Sequence, residues 1–269
     1  MTRAAAQRGP TVVLVAHGTR NPHGVEIIAR IAESVAARLG HVPVAFVDVL
    51  GPSPSEVLSD LDGPAIVVPA FLASGYHVRT DVPREIAESG HRHTTVARAL
   101  GPDPVLAGIL EDRLRDAGWQ PGDAVVLAAA GSSDSRALAD VEEAARLLSA
   151  RLGAVVEVGY AATAEPRVTE VVAGVRARTG ARVFIASYLL AEGLFQNRLR
   201  ESGADGVADP IGVHPGLVDL VCRRASEAQR PGGPGAGSSR PGASRAGLLR
   251  SAAARPGRAL VGRWSVRAR

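Results

Sequence analysis

The feature that most limits how this 269-residue chain can fold is an apolar run that occurs twice and ends each time at a glycine. The segment "PTVVLVAHG" at 10–18 corresponds to "DAVVLAAAG" at 123–131, an offset of 113 residues. The same offset aligns "ARLG" at 37–40 with "ARLG" at 150–153. The chain is therefore predicted to be an internal duplication, with its boundary near residues 119–123.

Strand-like and helix-like stretches alternate within each copy. Continuous Val, Ile and Leu runs are typical of parallel strands that are covered on both faces, and the stretches between them carry apolar residues at helical spacing. We expect two tandem three-layer α/β/α domains with parallel sheets. The first would span residues 10–120 and the second 123–229. In the first half the predicted strands are 11–16, 42–49, 64–72 and 93–100, and the main predicted helices are 24–40, 81–90 and 103–118.

Composition and the single cysteine limit the class of protein. Hydrophobic residues make up 46% of the chain, which is enough to bury a core, yet no apolar run approaches the roughly 20 residues of a membrane span. Cys222 alone excludes an internal disulfide framework and a zinc site built on cysteines. The N-terminal segment has no signal-type apolar stretch, so we expect a cytoplasmic protein.

The basic isoelectric point of about 10.1 comes from one end of the chain. Residues 230–269 hold nine arginines and no acidic residue, and removing them from the net charge of +4 leaves about −5 for residues 1–229. The Gly, Pro and Ser content of this Arg-rich tail predicts disorder. No nucleic-acid-binding motif accompanies it, so we expect no nucleic-acid partner; a weak contact with a polyanion is the alternative.

Three polar side chains stand where strands of the first half end. His17 follows the first strand, Asp48 ends the second, and His77 follows the third. Because ligands of parallel α/β sheets bind beyond the carboxyl ends of the strands, these groups can converge. Two imidazoles and a carboxylate suit a divalent transition metal.

The second copy lacks all three groups. The aligned positions are Ala130, about Ala162, and Phe195, the last through the match of "AFLASGYH" with "YLLAEGLF". Taken singly, a strand-end histidine is usually a satisfied polar group, and Asp48 alone is more typical of a turn or cap. Their joint loss favours one functional unit.

Three segments together resemble a known family. "VVLVAHGTRNP", "FVDVLGPSPSEVL" and "VVPAFLASGYHVRTDVP" are similar to the CbiX/SirB-type sirohydrochlorin chelatases, which are class II chelatases, in their long two-domain form. The resemblance covers roughly residues 10–228. It implies two chelatase-like (flavodoxin-like) halves facing each other across a cleft, and the insertion of Fe²⁺ or Co²⁺ into sirohydrochlorin, an octacarboxylic tetrapyrrole. It also implies that no organic cofactor is needed and that the divalent metal is a substrate.

The resemblance assigns roles to particular residues. His17 and His77 match the two metal-binding, catalytic histidines of the family, and Asp48 stands at a third metal position that is commonly Glu. The substrate carboxylates need cationic or hydrogen-bonding partners, and for these the loops near the ligands and the equivalent loops of the second half offer Arg20, Arg79, Ser132, Ser133, Asn197 and Arg198. The expected partner is this tetrapyrrole, with no membrane contact and a monomeric chain.

Two other functions compete with the chelatase. The segment "AHGTR" is similar to the "RHG" of histidine phosphatases, but Ala16 stands where those enzymes have arginine. A non-catalytic carrier of the metal or the tetrapyrrole would have the same site and would not accelerate metallation.

Overall fold

The computed structural model of the protein describes residues 9–230, in which strands and helices alternate along the chain. The strands are Thr11–Ala16 (β1), Val44–Phe46 (β2), Ala65–Pro69 (β3), Thr94–Val96 (β4), Ala124–Ala129 (β5), Val156–Tyr160 (β6), Val183–Tyr188 (β7) and Gly206–Val207 (β8). The α-helices are Pro22–Leu39 (α1), Pro54–Ser59 (α2), Val82–Ser89 (α3), Pro104–Asp116 (α4), Ser135–Leu152 (α5), Val168–Thr179 (α6), Leu194–Arg200 (α7) and Pro215–Gln229 (α8).

The strands form two four-stranded sheets with the same topology. The orders are β2-β1-β3-β4 and β6-β5-β7-β8, and every pairing is parallel. This is the strand order of the flavodoxin-like fold. The two central strands, β1 and β3 in one sheet and β5 and β7 in the other, are neighbours, and their carboxyl ends lie at the same edge of the sheet. The predicted fold class, two parallel-sheet α/β domains related by duplication, is confirmed.

The duplication extends to the details that start the helices. Asn21 accepts a hydrogen bond from the backbone N–H of His23 at the start of α1, and Asp134 does the same for Arg136 at the start of α5. These two caps are 113 residues apart, which is the sequence offset of the copies. Each satisfies one of the backbone donors that a helix N-terminus leaves without a partner.

The last helix of each half packs against the other half. Helix α4 contacts β7 and α5 of the second half, and α8 contacts α1, β3 and β4 of the first half. The structure has the helix that was predicted at 103–118. The prediction did not say which sheet this helix packs against, because helical periodicity does not show which sheet a helix covers. A single apolar core, which includes Leu14, Leu110, Leu127 and Leu220, joins the two halves.

A buried ion-pair cluster fixes α8 to the first half. The Arg224 guanidinium, 1% exposed, donates to the carbonyl oxygens of Ala99 and Leu100 and to the Asp103 carboxylate at 2.8 Å. Burial would raise the pKa of Asp103, but a hydrogen bond from the Val105 N–H and the arginines Arg223 and Arg224 hold that pKa below its usual range.

Among the described residues, no helix combines the length and the apolar character that a membrane crossing needs. The predicted disordered tail, apart from Arg230, lies outside the described residues.

Candidate functional site

The first predicted ligand, His17, stands at the carboxyl end of β1 because a glycine follows it. Gly18 has φ +98°, and a Cβ at this position would collide with the carbonyl oxygen of Asp48. Only glycine allows this backbone and this close approach. The turn leaves the His17 side chain exposed at the sheet edge, where its Nδ1 lies 3.1 Å from the Gly18 carbonyl oxygen.

The second predicted ligand, His77, begins a single π-helical turn, His77–Asp81, that leads into α3. This turn brings the His77 Nδ1 to 2.7 Å from a carboxylate oxygen of Asp81. Asp81 is 7% exposed, and its other oxygen lies 3.0 Å from Arg84. The buried carboxylate therefore fixes the orientation of the imidazole through Nδ1, on the side of the ring away from Nε2.

The two imidazoles meet at their Nε2 atoms, which are 3.0 Å apart. The rings are nearly perpendicular, with an interplanar angle of 82° and centroids 4.3 Å apart. A carbonyl and a carboxylate can only accept, so each Nδ1 must donate its proton, to Gly18 in one ring and Asp81 in the other. A neutral imidazole with its proton on Nδ1 has a free lone pair on Nε2.

Two lone pairs at this distance repel unless a cation lies between them. A proton shared by the two nitrogens is one such cation, and a metal ion is the other. With a metal–nitrogen distance of about 2.1 Å, a separation of 3.0 Å corresponds to an N–metal–N angle of about 90°. The pair of His17 and His77 thus has the spacing of two neighbouring ligands in one coordination shell.

The histidine pair lies in a cleft between the halves. One cavity of about 550 Å³ is lined by both imidazoles, and a second of about 420 Å³ is lined by His17. Both cavities share five further residues, which are Phe71, Leu72, Ala130, Tyr188 and Phe195. The walls are mostly apolar, so the cleft suits a ligand with a large apolar surface whose polar groups stay at the rim.

Tyr188 lines the cleft and links the two halves through a hydrogen bond. Its hydroxyl donates to the carbonyl oxygen of Leu72 across the halves at 2.8 Å. Burial raises the pKa of Tyr188, and the charges of Asp140 and Asp103 add to this effect, so the hydroxyl stays protonated as a donor.

The second half has the same backbone turn at the end of its first strand, but it lacks the histidine side chains. Gly131 also has φ +98° and approaches the carbonyl oxygen of Ala162, as Gly18 approaches that of Asp48. Ala130 takes the place of His17 and lines the cleft, as does Phe195 in place of His77. The position that corresponds to Asp81 is Leu199, which is fully buried.

Asp48 is not brought together with the imidazoles. Its carboxylate accepts a hydrogen bond from the Val49 N–H at 2.7 Å, and the residue is exposed outside both cavities. Within residues 9–230, no group of three or more His, Cys, Asp or Glu side chains is placed to hold one metal ion. The hydrogen bond from Val49 is the kind of turn interaction that is typical of an aspartate at this position in the sequence.

The predicted substrate contacts divide into two sets. Ser132 and Ser133 line the cavity that holds both imidazoles. Arg20, Asn197 and Arg198 do not line either cavity, although the Arg198 guanidinium lies 5.9 Å from the ring centre of Phe195, which lines both. Arg79 lines a separate cavity next to the cleft.

Sequence reasoning did not select Asp81. The available signal was its spacing, four residues after His77 in "HVRTD", because residues at i and i+4 share a face of a helix. The prediction began the helix at residue 81 rather than at His77, and so separated the two side chains.

Two similar parallel-sheet α/β halves that enclose a cleft, with a close pair of histidines on one half only, define the class of this protein: a duplicated α/β protein whose halves differ at their strand ends. The model of the CbiX family matches residues 11–117 and again residues 124–228. The chain therefore belongs to the CbiX family.

Relatives and solved structures agree with this assignment. A sirohydrochlorin ferrochelatase of Priestia megaterium is 28% identical over 233 residues, which cover 78% of this chain and 87% of the relative. A sirohydrochlorin cobaltochelatase of Methanothermobacter thermautotrophicus is 33% identical over 130 residues, covering 39% of this chain and 91% of the relative. The structure of SirB from Bacillus subtilis with Fe³⁺ superposes with a TM-score of 0.71 at 24% identity, covering 81% of this chain and 95% of that one, which shows the shared fold.

Proposed function

We propose that this protein is a sirohydrochlorin chelatase, which inserts a divalent metal ion, Fe²⁺ or Co²⁺, into sirohydrochlorin. Membership of the CbiX family and the names of the relatives support the activity. Both the metal and the tetrapyrrole are substrates, and the reaction needs no organic cofactor. The relatives carry both ferrochelatase and cobaltochelatase names, and imidazole binds either metal.

The observation that carries the proposal is the pair of Nε2 atoms at 3.0 Å, each on a ring whose Nδ1 is anchored. In this proposal His17 and His77 hold the metal ion at one wall of the cleft. Anchoring the Nδ1 atoms fixes the tautomer and the ring orientation, as partners beyond the metal ligands do in metal sites generally. The metal ion is thus presented to the face of a ligand in the cleft.

The shape of the cleft supports a macrocyclic substrate. Apolar side chains, among them Leu138 and Val141 of the second half, face the imidazoles across the larger cavity. A flat tetrapyrrole placed between the walls would bury its ring faces there and keep its carboxylates at the rim. The hydroxyl groups of Ser132 and Ser133 are positioned to donate to such carboxylates.

Metal insertion breaks two pyrrole N–H bonds and forms metal–nitrogen bonds, so two protons must leave the ring. As the metal ion moves from the imidazoles to the macrocycle, their Nε2 lone pairs become free to accept a proton. His77 can accept a proton at Nε2 while its Nδ1–H stays hydrogen-bonded to the Asp81 carboxylate. One shared proton between the rings and release of the second to water balance the reaction.

The experiment is anaerobic incubation of the protein with sirohydrochlorin and Fe²⁺ or Co²⁺, followed by the absorption spectrum. We expect His17→Ala and His77→Ala each to remove most of the rate above the uncatalysed reaction. His23→Ala is a matched control, because His23 is exposed and does not line the cleft. A wild-type rate in His77→Ala contradicts the proposed site, and binding without acceleration by the wild type indicates a carrier.

Two further expectations accompany this proposal. We expect the chain to work as a monomer, because both halves of the cleft come from one chain, and sedimentation velocity tests this. We also expect it to act in the cytoplasm, which cell fractionation tests.

A further inference from the structure

The separate cavity that Arg79 lines, of about 380 Å³, lies beside the cleft, behind the segment that carries His77. It is lined by parts of two loops, residues 74–79 and 97–102, together with Arg224. Three of the lining residues are arginines, namely Arg79, Arg98 and Arg224, and none is acidic. Val78 lines this cavity and the larger cavity of the cleft, so one thin wall separates them.

The three arginines have different roles. Arg224 is fully buried, and its positive charge is neutralised by ion pairs with Asp103 and Glu227. Arg79 donates from Nε to the carbonyl oxygen of Ser74 at 2.7 Å, which orients its guanidinium. Within residues 9–230, neither Arg79 nor Arg98 has a carboxylate at ion-pair distance. The two positive charges at this cavity are therefore not neutralised by a direct ion pair, although the charge of Asp134 acts on Arg79 from a greater distance.

A related cavity lies at the equivalent loops of the second half, with acidic residues at two of the matched positions. A cavity of about 280 Å³ there is lined by Glu192 where the first has Ser74, and by Asp209 where the first has Arg98. An arginine is kept at the matched position, although half-buried there: Arg113 donates to the Ile211 carbonyl oxygen as Arg224 donates to that of Leu100. That cavity is also lined by Arg30 and Arg113, so its lining carries both signs of charge, whereas the lining at Arg79 and Arg98 has no acidic residue.

We propose that Arg79 and Arg98 bind carboxylate side chains at one edge of the tetrapyrrole, and so set the orientation in which the ring faces the histidines. This inference rests on the proposed function. A guanidinium binds a carboxylate through two parallel hydrogen bonds, which fixes direction as well as position. Residues 1–229 carry about −5, so local cationic groups are needed to attract an octacarboxylic substrate.

The experiment measures binding of metal-free sirohydrochlorin by its fluorescence, at fixed ionic strength, in Arg98→Gln, Arg79→Gln and Arg98→Asp. Each neutral variant should weaken binding about fivefold, as the loss of one charge-assisted contact at a partly exposed site implies. Arg98→Asp, which copies the charge of Asp209, should weaken it further. Cobalt binding to the substrate-free protein should stay unchanged, and KM should rise while kcat changes less than twofold.

Matched controls separate this site from general charge effects. Arg92→Gln removes an exposed arginine that lines neither this cavity nor the cleft, and it should bind sirohydrochlorin as the wild type does. The octamethyl ester of sirohydrochlorin lacks the charged carboxylates, so Arg98→Gln should bind it as the wild type does.

Wild-type affinity for sirohydrochlorin in all three variants would overturn the inference. So would saturable binding of inorganic phosphate that is lost in Arg98→Gln while the sirohydrochlorin affinity stays the same, because the cavity would then serve a free anion. These outcomes are distinct from failure of the proposed function, in which the wild type binds sirohydrochlorin and does not metallate it.

Discussion

The buried carboxylate behind His77 makes a specific prediction. Replacing Asp81 with Asn keeps the shape of the side chain and an oxygen that can accept from Nδ1. It removes the negative charge that strengthens this hydrogen bond and the ion pair with Arg84. We expect Asp81→Asn to bind metal more weakly, because a neutral partner holds the Nδ1–H tautomer less firmly and makes Nε2 a weaker electron-pair donor to the metal.

The size of the effect follows from the contact. A hydrogen bond to a charged group contributes about 1.5–3 kcal/mol, and a neutral one about 0.5–1.5 kcal/mol. Because Asp81 is 7% exposed, water cannot replace the lost interaction. The difference of about 1–1.5 kcal/mol corresponds to roughly tenfold weaker cobalt binding. Asp81→Ala, which also removes the acceptor, should approach a hundredfold, the upper range for partners of metal-ligating histidines.

The assay is a titration of the substrate-free protein with Co²⁺, followed through its visible absorption, with kcat for metallation measured alongside. Glu88→Gln is the control, because it removes a carboxylate from the same helix, 57% exposed and 3.7 Å from Arg84, that does not contact His77. Thermal unfolding of each variant separates a loss of metal affinity from a loss of fold.

Wild-type cobalt affinity and kcat in a folded Asp81→Asn would refute this reasoning. The carboxylate would then serve only to pack the π-helical turn.

Three further changes have expected outcomes. Asp103→Asn should lower the free energy of unfolding at pH 7 by about 2–3 kcal/mol, since it leaves the buried Arg224 with less compensation. The lowered pKa of Asp103 means that its contribution is fully present above the unfolded value of about 3.9 and is lost as pH falls through the lowered folded value. Urea titrations should therefore show the difference between the two proteins shrinking as the pH is taken below about 3.9. Gly18→Ala should abolish metallation and lower the melting temperature, because its Cβ would overlap the Asp48 carbonyl; unchanged melting would contradict this. Removing residues 231–269 should leave kcat/KM within twofold, since the proposed site lies within the described residues; a large loss would assign the tail a role.

The duplicated α/β fold was predictable because its signal is local. Apolar runs, helical spacing and glycines at strand ends each depend on a few neighbouring residues, and the repeat at an offset of 113 doubled the observations. The strand ends also placed His17 and His77 at one sheet edge. Their convergence is a consequence of the β2-β1-β3-β4 order, in which β1 and β3 are neighbours.

Contacts that depend on tertiary packing were not predictable in this way. The exchange of α4 and α8 between the halves needs knowledge of which apolar surfaces meet. The contact of His77 with Asp81 depends on a π-helical turn, for which the sequence has no strong local signal. The metal role that the resemblance assigned to Asp48 stays a prediction; its side chain accepts a hydrogen bond from the Val49 N–H in its own turn.

X-ray absorption of the cobalt-loaded protein tests the central claim most directly. The account predicts two imidazole ligands on Co²⁺ in the wild type and one in His77→Ala. Anaerobic addition of sirohydrochlorin should then replace the imidazoles by pyrrole nitrogens. Cobalt without imidazole ligands in the wild type, or an unchanged ligand set in His17→Ala and His77→Ala, would contradict the account.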